Sequence, residues 1–177
     1  ASNLERNLYL TSMFIELDVP VVVALNMMDV AEARGKHIDV ALLAELLGVR
    51  VVPIIARRGE GMTALLDAIV AAADEGQAEE VHVNFGRELE PHIAQLAAAI
   101  TQRDLAGRLP ARWLAIKLLE DDGQIRERFA AAGETGAEIL ALAEGERRHL
   151  QQIIGDDPEI VLADRRYGFV SGACREA

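Results

Sequence analysis

The feature that most constrains this chain is a short apolar run that ends abruptly in polar residues. Pro20 to Leu25 are apolar without interruption and rich in valine, and Asn26 ends the run. A run of this length is typical of a β-strand buried on both faces, as in a parallel sheet. Because open α/β sheets bind ligands beyond the carboxyl ends of their strands, the residues directly after Leu25 are the first candidates for a site.

Asn26 and Asp29 form an Asn-x-x-Asp motif directly after this predicted strand. A carboxylate can accept hydrogen bonds from two adjacent donors, such as N1–H and the exocyclic amine of guanine, and an amide can both donate and accept. The motif therefore predicts a site for the hydrogen-bonding edge of a purine. The same two residues are also typical of a turn, in which Asn26 ends the strand and Asp29 caps the next helix.

A second strand is predicted at 49–55, after a helix at 39–47 that Gly48 ends. Strand, helix and strand together take about thirty residues, the size of a βαβ unit with parallel strands. A polar loop with two glycines follows at 56–61, and glycine permits a close backbone approach to a ligand. Since parallel strands end at the same edge of a sheet, we expect this loop and the Asn-x-x-Asp motif to face one cleft. A plain connection between strand and helix is the other interpretation of the loop.

The chain is predicted to divide near an acidic, glycine-bearing segment at 74–80. Residues 1–76 form the α/β part, which also contains a helix at 2–17 that starts with a capping box of Ser2 and Glu5, a short turn of helix at 30–34, and a helix at 62–73. The last of these is expected to turn four apolar residues inward: Leu65, Leu66, Ile69 and Val70.

Residues 79–177 are predicted to form an all-α domain, with 81–85 extended before its first helix. Asp157 suits the N-cap position ahead of Pro158. The helices are predicted at 89–102, 110–120, 125–132, 136–154 and 158–175. The fold class is therefore α/β with a parallel sheet, followed by a helical domain.

Composition excludes several classes of function. The formal net charge of the 177 residues is −11, which argues against nucleic acid as a partner. A single cysteine, Cys174, allows no disulfide within the chain and fits a reducing compartment. No apolar run approaches the ~20 residues of a membrane helix, and the four histidines have no metal-ligand spacing, so no metal site is predicted. We expect the chain to be part of a longer protein, because it begins inside a predicted helix.

One motif is absent from the sequence. Nothing matches Gly-x-x-x-x-Gly-Lys-[Ser/Thr], the loop that holds nucleotide phosphates and helps to bind magnesium. If the chain binds a nucleotide, the phosphate-binding part is therefore expected upstream of Ala1.

Five segments in this order and at this spacing resemble the cytosolic part of the ferrous iron transport protein B (FeoB) family. The resemblance covers nearly the whole chain, and the first two segments are far more specific than Asn-x-x-Asp alone. The segments are Asn-Leu-Glu-Arg-Asn-Leu-Tyr-Leu (3–10), Pro-Val-Val-Val-Ala-Leu-Asn-Met-Met-Asp (20–29), Val-Pro-Ile-Ile-Ala-Arg-Arg-Gly-Glu-Gly (52–61), Arg-Trp-Leu-Ala-Ile-Lys-Leu-Leu-Glu (112–120) and Ala-Asp-Arg-Arg-Tyr (163–167).

The resemblance implies a Ras-like GTPase domain, a helical domain compared to a dissociation inhibitor, and a transmembrane Fe(II) pore in the parent protein. It places Asn26, Met27 and Asp29 in the guanine-specificity motif, with Met27 where most small GTPases carry lysine. The loop from Ala56 to Gly59, which includes Arg57 and Arg58, matches the last nucleotide-binding motif, whose backbone contacts guanine O6; many members carry serine in place of Ala56.

The implied ligand is GTP or GDP, of which this chain would contact the base only. Magnesium ligands and the phosphate loop would lie in the missing N-terminal half of the GTPase domain, so we do not expect the chain to hydrolyse GTP alone. The implied location is the cytoplasmic face of the bacterial inner membrane, as part of a protein that regulates ferrous iron uptake. The alternative is a helical protein-interaction module without enzymatic activity, whose Asn-x-x-Asp is only a turn.

Overall fold

The computed structural model describes residues 3–75 and 82–177, and its contacts divide the chain into two units. One unit comprises Ala1–Val83 together with Tyr167–Ala177, and the other comprises Asn84–Arg166. Most of the predicted boundary segment, from residue 76 to 80, lies outside the described residues, as does Val81. The predicted domain limits at 76 and 79 therefore remain predictions. Residues 82–86 contain no strand.

The first unit is built around two parallel strands, as the βαβ pattern predicts. β1 and β2 pair in parallel, with Val22 opposite Arg50 and Asn26 opposite Ile54. The two strands are the whole sheet among the described residues. The elements are α1 (Leu4–Ile15), β1 (Val22–Asn26), α2 (Met28–Ala33), α3 (Val40–Leu47), β2 (Arg50–Ile54), a 3-10 turn (Ala56–Arg58) and α4 (Met62–Glu75).

Local sequence signals explain where α3 begins and ends. The Oδ1 atom of Asp39 accepts a hydrogen bond from the Leu42 N–H at 3.0 Å, which caps the first turn. Gly48 ends the helix in the left-handed conformation, with φ of 64°. Ser2 of the predicted capping box lies outside the described residues, and Asn3, at the N-cap of α1, makes no side-chain capping bond.

The core of the first unit lies between the sheet and its helices. Its buried side chains come from α1, β1, α3, the residue before β2, and the last part of the chain: Leu8, Ile15, Leu25, Leu43, Leu47, Val49, Val170 and Ala173. The apolar face of α3, the crossover helix, therefore packs into the same core as the strands that precede and follow it in the chain.

The prediction that the first strand is buried on both faces is wrong for this chain. Leu25 is buried, but Val22 and Val23 are only half-buried and Ala24 is exposed. The physical reason is that β1 has a strand on one side only within the described residues. An open recess of about 610 Å³ runs along β1 and is lined also by α1 residues that include Asn7, Thr11 and Phe14.

The prediction that α4 turns Leu65, Leu66, Ile69 and Val70 inward is wrong for three of the four. Leu66 is 60% exposed, Ile69 47% and Val70 59%, while Leu65 is half-buried. The helix packs on β1 and β2 through a different side. Two strands of five residues cover only part of its surface, so the rest of its apolar side faces solvent.

The second unit is helical throughout its described elements, as predicted. Its interior is formed by side chains with no exposed surface, among them Ile93, Leu96, Ile100, Leu114 and Ile139. The helices are α5 (Glu90–Gln102), α6 (Ala111–Leu119), α7 (Gly123–Ala130), α8 (Gly133–Ile154) and α9 (Pro158–Glu176), of which α9 continues into the first unit from Tyr167.

The N-cap predicted at Asp157 is present, because its Oδ1 atom accepts a hydrogen bond from the Glu159 N–H at 3.0 Å. Asp122 caps α7 in the same way, accepting from the N–H groups of Gln124 and Ile125 at 3.1 Å. Capping carboxylates of this kind satisfy backbone donors that have no partner inside the helix.

A buried ionic network holds part of the second unit together. Arg166 is 2% exposed and donates from Nη2 to Glu120 Oε1 at 2.9 Å, while Lys117 Nζ donates to the other oxygen of Glu120 at 2.6 Å. The guanidinium carbon atoms of Arg166 and Arg112 lie 5.6 Å and 6.0 Å from the centre of the Phe85 ring. Glu120 thus balances a cation that has almost no access to water.

Replacing Glu120 by alanine should lower the free energy of unfolding by about 3 kcal/mol, because it removes a carboxylate that pairs with a buried guanidinium. The matched control is Glu138→Ala, which removes an exposed carboxylate paired with Arg103 at 3.0 Å and should cost about 0.5 kcal/mol. Urea unfolding followed by circular dichroism measures both. Equal losses for the two variants would contradict this account of the network.

Candidate nucleotide-base site

The carboxyl ends of the two strands bring the Asn-x-x-Asp motif and the 56–58 turn together. Asn26 is the last residue of β1 and lies opposite Ile54, the last residue of β2. Its Oδ1 atom accepts hydrogen bonds from the backbone N–H of Met27 at 2.7 Å and from that of Ala56 at 3.1 Å. One side-chain oxygen therefore shapes the turn after β1 and ties it to the turn after β2.

The turn after β1 directs the two methionines differently. Met27 has a left-handed backbone with φ of 66° and ψ of 39°, which is uncommon for a residue that is not glycine. Its side chain is 44% exposed and lines the recess at the strand ends. Met28 packs instead against the core of the first unit. Of the two, Met27 is the one placed to contact a ligand.

Asp29 lies in the first turn of α2 and forms an ion pair with the turn that follows β2. Its side chain is 14% exposed, and its Oδ2 atom accepts a hydrogen bond from Arg57 Nη2. Arg58 Nη2 lies 3.9 Å from the same oxygen, and Arg58 Nη1 is 3.7 Å from Glu60 Oε1. The two arginines are themselves 67% and 53% exposed, so the carboxylate is the sheltered partner.

The arginines keep Asp29 ionised. The hydrogen bond from Arg57 holds the pKa of the Asp29 carboxyl below its usual range, and the charge of Arg57, the backbone N–H of Val30 and the charge of Arg58 act in the same direction. Partial burial acts against them but does not prevail. At neutral pH the recess therefore offers a carboxylate, which accepts hydrogen bonds and donates none.

The recess itself is small. It has a volume of about 170 Å³ and is lined by Asn26, Met27, Asp29, Val30, Ile55 and Arg57. Pockets that bury a whole drug-sized ligand measure roughly 300–1,000 Å³. This recess is accordingly sized for one part of a ligand.

The backbone of the turn after β2, Ala56–Arg58, offers one hydrogen-bond donor to the recess. The N–H of Ala56 donates to Asn26, that of Arg58 donates to the Ile55 carbonyl at 2.9 Å, and that of Gly59 donates to the Ala56 carbonyl at 3.1 Å. Among the described residues, this leaves the N–H of Arg57 as the donor that a ligand would meet.

All six residues predicted for the site therefore lie at this edge of the sheet: Asn26, Met27, Asp29, Ala56, Arg57 and Arg58. Sequence reasoning missed the ion pair of Asp29 with Arg57. The signal available was the register of the strands. When 26 and 54 are opposite each other, residues just beyond both strand ends are near neighbours.

Among the described residues, two histidines lie close together in the second unit. His92 pairs with Glu146, and its ring centre lies 5.4 Å from that of His149. Within 3–75 and 82–177, no group of three histidine, cysteine, aspartate or glutamate side chains is arranged to hold a metal ion. None of the helices in those ranges combines the length and the apolar character needed to cross a bilayer.

A parallel strand pair with flanking helices and a polar recess at its carboxyl ends, followed by a helical unit, defines part of an α/β domain joined to an all-α domain. The chain belongs to the ferrous iron transport protein B (FeoB) family. The family model described as "Ferrous iron transport protein B" matches residues 1–69, and that described as "FeoB cytosolic helical domain" matches residues 85–177.

Individual relatives agree with this assignment. The chain is 37% identical over 180 residues to the Fe(2+) transport protein A/Fe(2+) transporter FeoB fusion protein of Porphyromonas gingivalis, and 36% identical over 176 residues to the Fe(2+) transporter FeoB of Escherichia coli K12. Each comparison covers 98% of this chain and 21% of the relative. The chain thus spans about a fifth of the length of these curated relatives.

Solved structures show the same fold. NFeoB from S. thermophilus bound to GDP.AlF4- and K+ has a TM-score of 0.80 and 32% identity, and the match covers 98% of this chain and 65% of that one. The mGMPPNP-bound NFeoB from S. thermophilus has a TM-score of 0.84 and 32% identity, covering 99% and 64%. The predicted partial Ras-like sheet and the helical domain after it are confirmed.

Because the ion pair lowers the pKa of Asp29, removing either arginine should change that pKa measurably. Replacing Arg57 by glutamine should raise the pKa of the carboxyl towards its ordinary value, because the largest cause of its lowering is removed. Arg58→Gln should raise it less, since that guanidinium stands 3.9 Å away. NMR titration of the aspartate side chains measures both shifts.

The lowered pKa of Asp29 sets the direction in which the free energy of unfolding changes with pH. The carboxylate contributes stability above the ordinary carboxyl pKa, and this contribution is lost as pH falls through the lowered one. The pH dependence of unfolding below the ordinary carboxyl pKa of 3.8 should therefore be shallower in Arg57→Gln. An Asp29 pKa that stays the same in this variant would show that the ion pair is not formed in solution.

Proposed function

We propose that this chain supplies the guanine-recognising part of a GTPase domain. The observation that carries the proposal is the hydrogen bond from Ala56 N–H to Asn26 Oδ1, which fixes the two turns around one recess that contains the Asp29 carboxylate. Asp29 would accept from N1–H and the exocyclic amine of the base. A carboxylate and this pair of donors form two parallel charge-assisted hydrogen bonds, a geometry that adenine does not offer.

The other site residues have distinct roles in this proposal. The backbone N–H of Arg57, within the turn of Ala56–Arg58, would donate to guanine O6, since its neighbours' N–H groups are already used. Asn26 would bind near N7 of the base and hold the two turns in place. The exposed thioether of Met27 would pack against the face of the base, where a flexible apolar side chain fits well.

The parent protein is proposed to be a GTPase that regulates ferrous iron transport. The S. thermophilus NFeoB structures bound GDP and GMPPNP, and the relatives from P. gingivalis and E. coli are Fe(2+) transporters by name. The phosphate loop and the magnesium ligands would be supplied by the part of the domain that precedes this chain. The helical unit would pass on the nucleotide state to a transmembrane Fe(II) pore, from the cytoplasmic side of the bacterial inner membrane.

Two open surfaces of the first unit support the proposal that a preceding part of the GTPase domain packs against this chain. Within the described residues, β1 pairs with a strand on one edge only, and the recess of about 610 Å³ beside it is lined by residues 21–27, among others. On α4, the exposed Met62, Leu66, Ile69 and Val70 form a stripe at helical spacing. A further strand at the β1 edge would extend the sheet, and the wider sheet would cover more of the α4 stripe.

Replacing Asp29 by asparagine in the parent protein should weaken GDP binding by at least about tenfold, because a charge-assisted hydrogen bond contributes about 1.5–3 kcal/mol and 1.4 kcal/mol is tenfold. The amide offers a donor where guanine also has one. The amide donor suits xanthine, which carries an oxygen where guanine carries its exocyclic amine. The affinity for xanthosine diphosphate (XDP) should therefore rise. Isothermal titration calorimetry with GDP and XDP measures both changes.

Glu32→Gln is the matched control, since it removes an exposed carboxylate from the same helix outside the recess and should leave both affinities unchanged. If Asp29→Asn binds GDP as well as the native protein does, base recognition by this motif is excluded. The interaction-module alternative, in which Asn-x-x-Asp is only a turn, would then be favoured. The chain alone is unsuitable for this assay, because loss of phosphate contacts can abolish binding even with an intact base recess.

A substitution on α4 tests the proposed partner. Leu66→Glu should change the free energy of unfolding of this chain by less than about 0.5 kcal/mol, since the side chain is 60% exposed. In a longer chain that includes the preceding part of the domain, the same change should cost about 2 kcal/mol or more, because a charge would be buried in an apolar contact. Asp67→Asn, on the exposed polar side of the same helix, is the control. Equal small effects of Leu66→Glu in both chains would show that this surface stays uncovered.

A further inference from the structure

The ion pair between Asp29 and Arg57 occupies one of the carboxylate oxygens that the proposed function assigns to the base. Arg57 Nη2 donates to Asp29 Oδ2, and Arg57 lines the same small recess as Asn26 and Met27. The carboxylate that would accept from guanine therefore already has a donor in the protein without nucleotide.

The two donors are chemically alike. A guanidinium presents N–H groups side by side in a plane and binds carboxylates through them. Guanine presents N1–H and its exocyclic amine side by side in a plane as well. The sheltered carboxylate, 14% exposed, cannot give Oδ2 to both partners at full strength. The Arg57 side chain is 67% exposed, so it can leave the carboxylate for water without disturbing the core.

We infer that the Arg57 side chain is an internal competitor for the base, which occupies the Asp29 carboxylate when no nucleotide is bound and is displaced when guanine enters. This inference rests on the proposed function. It makes Arg57 a residue with two opposite effects: its backbone N–H favours the base, and its side chain lowers the apparent affinity. The size of the competition is limited by solvent, because an exposed ion pair is weak.

Removing the Arg57 side chain while keeping its backbone N–H measures the effect of the side chain on nucleotide affinity alone. In the full-length parent protein, Arg57→Ala should bind GDP about two- to fivefold more tightly, the range that an exposed ion pair corresponds to. Arg57→Lys keeps the charge but loses the paired donors, so its affinity should lie between those of the native protein and of Arg57→Ala. Arg34→Ala removes an exposed arginine outside the recess and controls for the change in net charge. Calorimetry at fixed salt measures the four affinities.

A double substitution separates this inference from the proposed function. With asparagine in place of Asp29, the ion pair is gone, so adding Arg57→Ala should change XDP affinity by less than about 1.5-fold. If Asp29→Asn fails to shift preference from GDP to XDP, the proposed function itself fails. If the shift occurs but Arg57→Ala binds GDP equally or more weakly, the competitor role is overturned and base recognition stands.

Discussion

The parallel pairing of β1 with β2 is the constraint on which the candidate site depends. Residues 26–29 and 56–58 are far apart in the chain, and only the register that sets Asn26 opposite Ile54 brings them to one edge. The hydrogen bond from Ala56 N–H to Asn26 Oδ1 then fixes the two turns relative to each other at the point where the strand hydrogen bonds end. The interior of the first unit, with Leu25 and Val49 beside the apolar face of α3, maintains that register because a slip would expose those side chains.

Sequence patterns predicted most of this arrangement for identifiable reasons. The uninterrupted apolar run before Asn26, the cap at Asp39 and the glycine at 48 each act over a few residues, and each of these elements is found in the structure. The six site residues lie together because parallel strands end at the same edge. The residues themselves carried this information, and the resemblance to the FeoB family added GTP or GDP as the expected ligand.

The predictions that were wrong concern surfaces that depend on distant parts of a protein. Apolar periodicity in α4 indicates that Leu66, Ile69 and Val70 are suited to burial, but it does not say which part of the protein buries them. The same holds for Val22 and Val23 of β1, which are only half-buried. The pairing of Asp29 with Arg57 was missed for another reason: exposed charges follow no periodicity, and their partners become visible only when the strand register is known.

The open edge of β1 has a consequence for handling this chain in the laboratory. Within the described residues, one edge of β1 has no neighbouring strand, and such an edge next to half-buried valines is a template for any extended peptide, including the same segment of another copy. Concentrated samples should therefore be prone to strand-mediated aggregation, and mixtures of chains to non-native pairing.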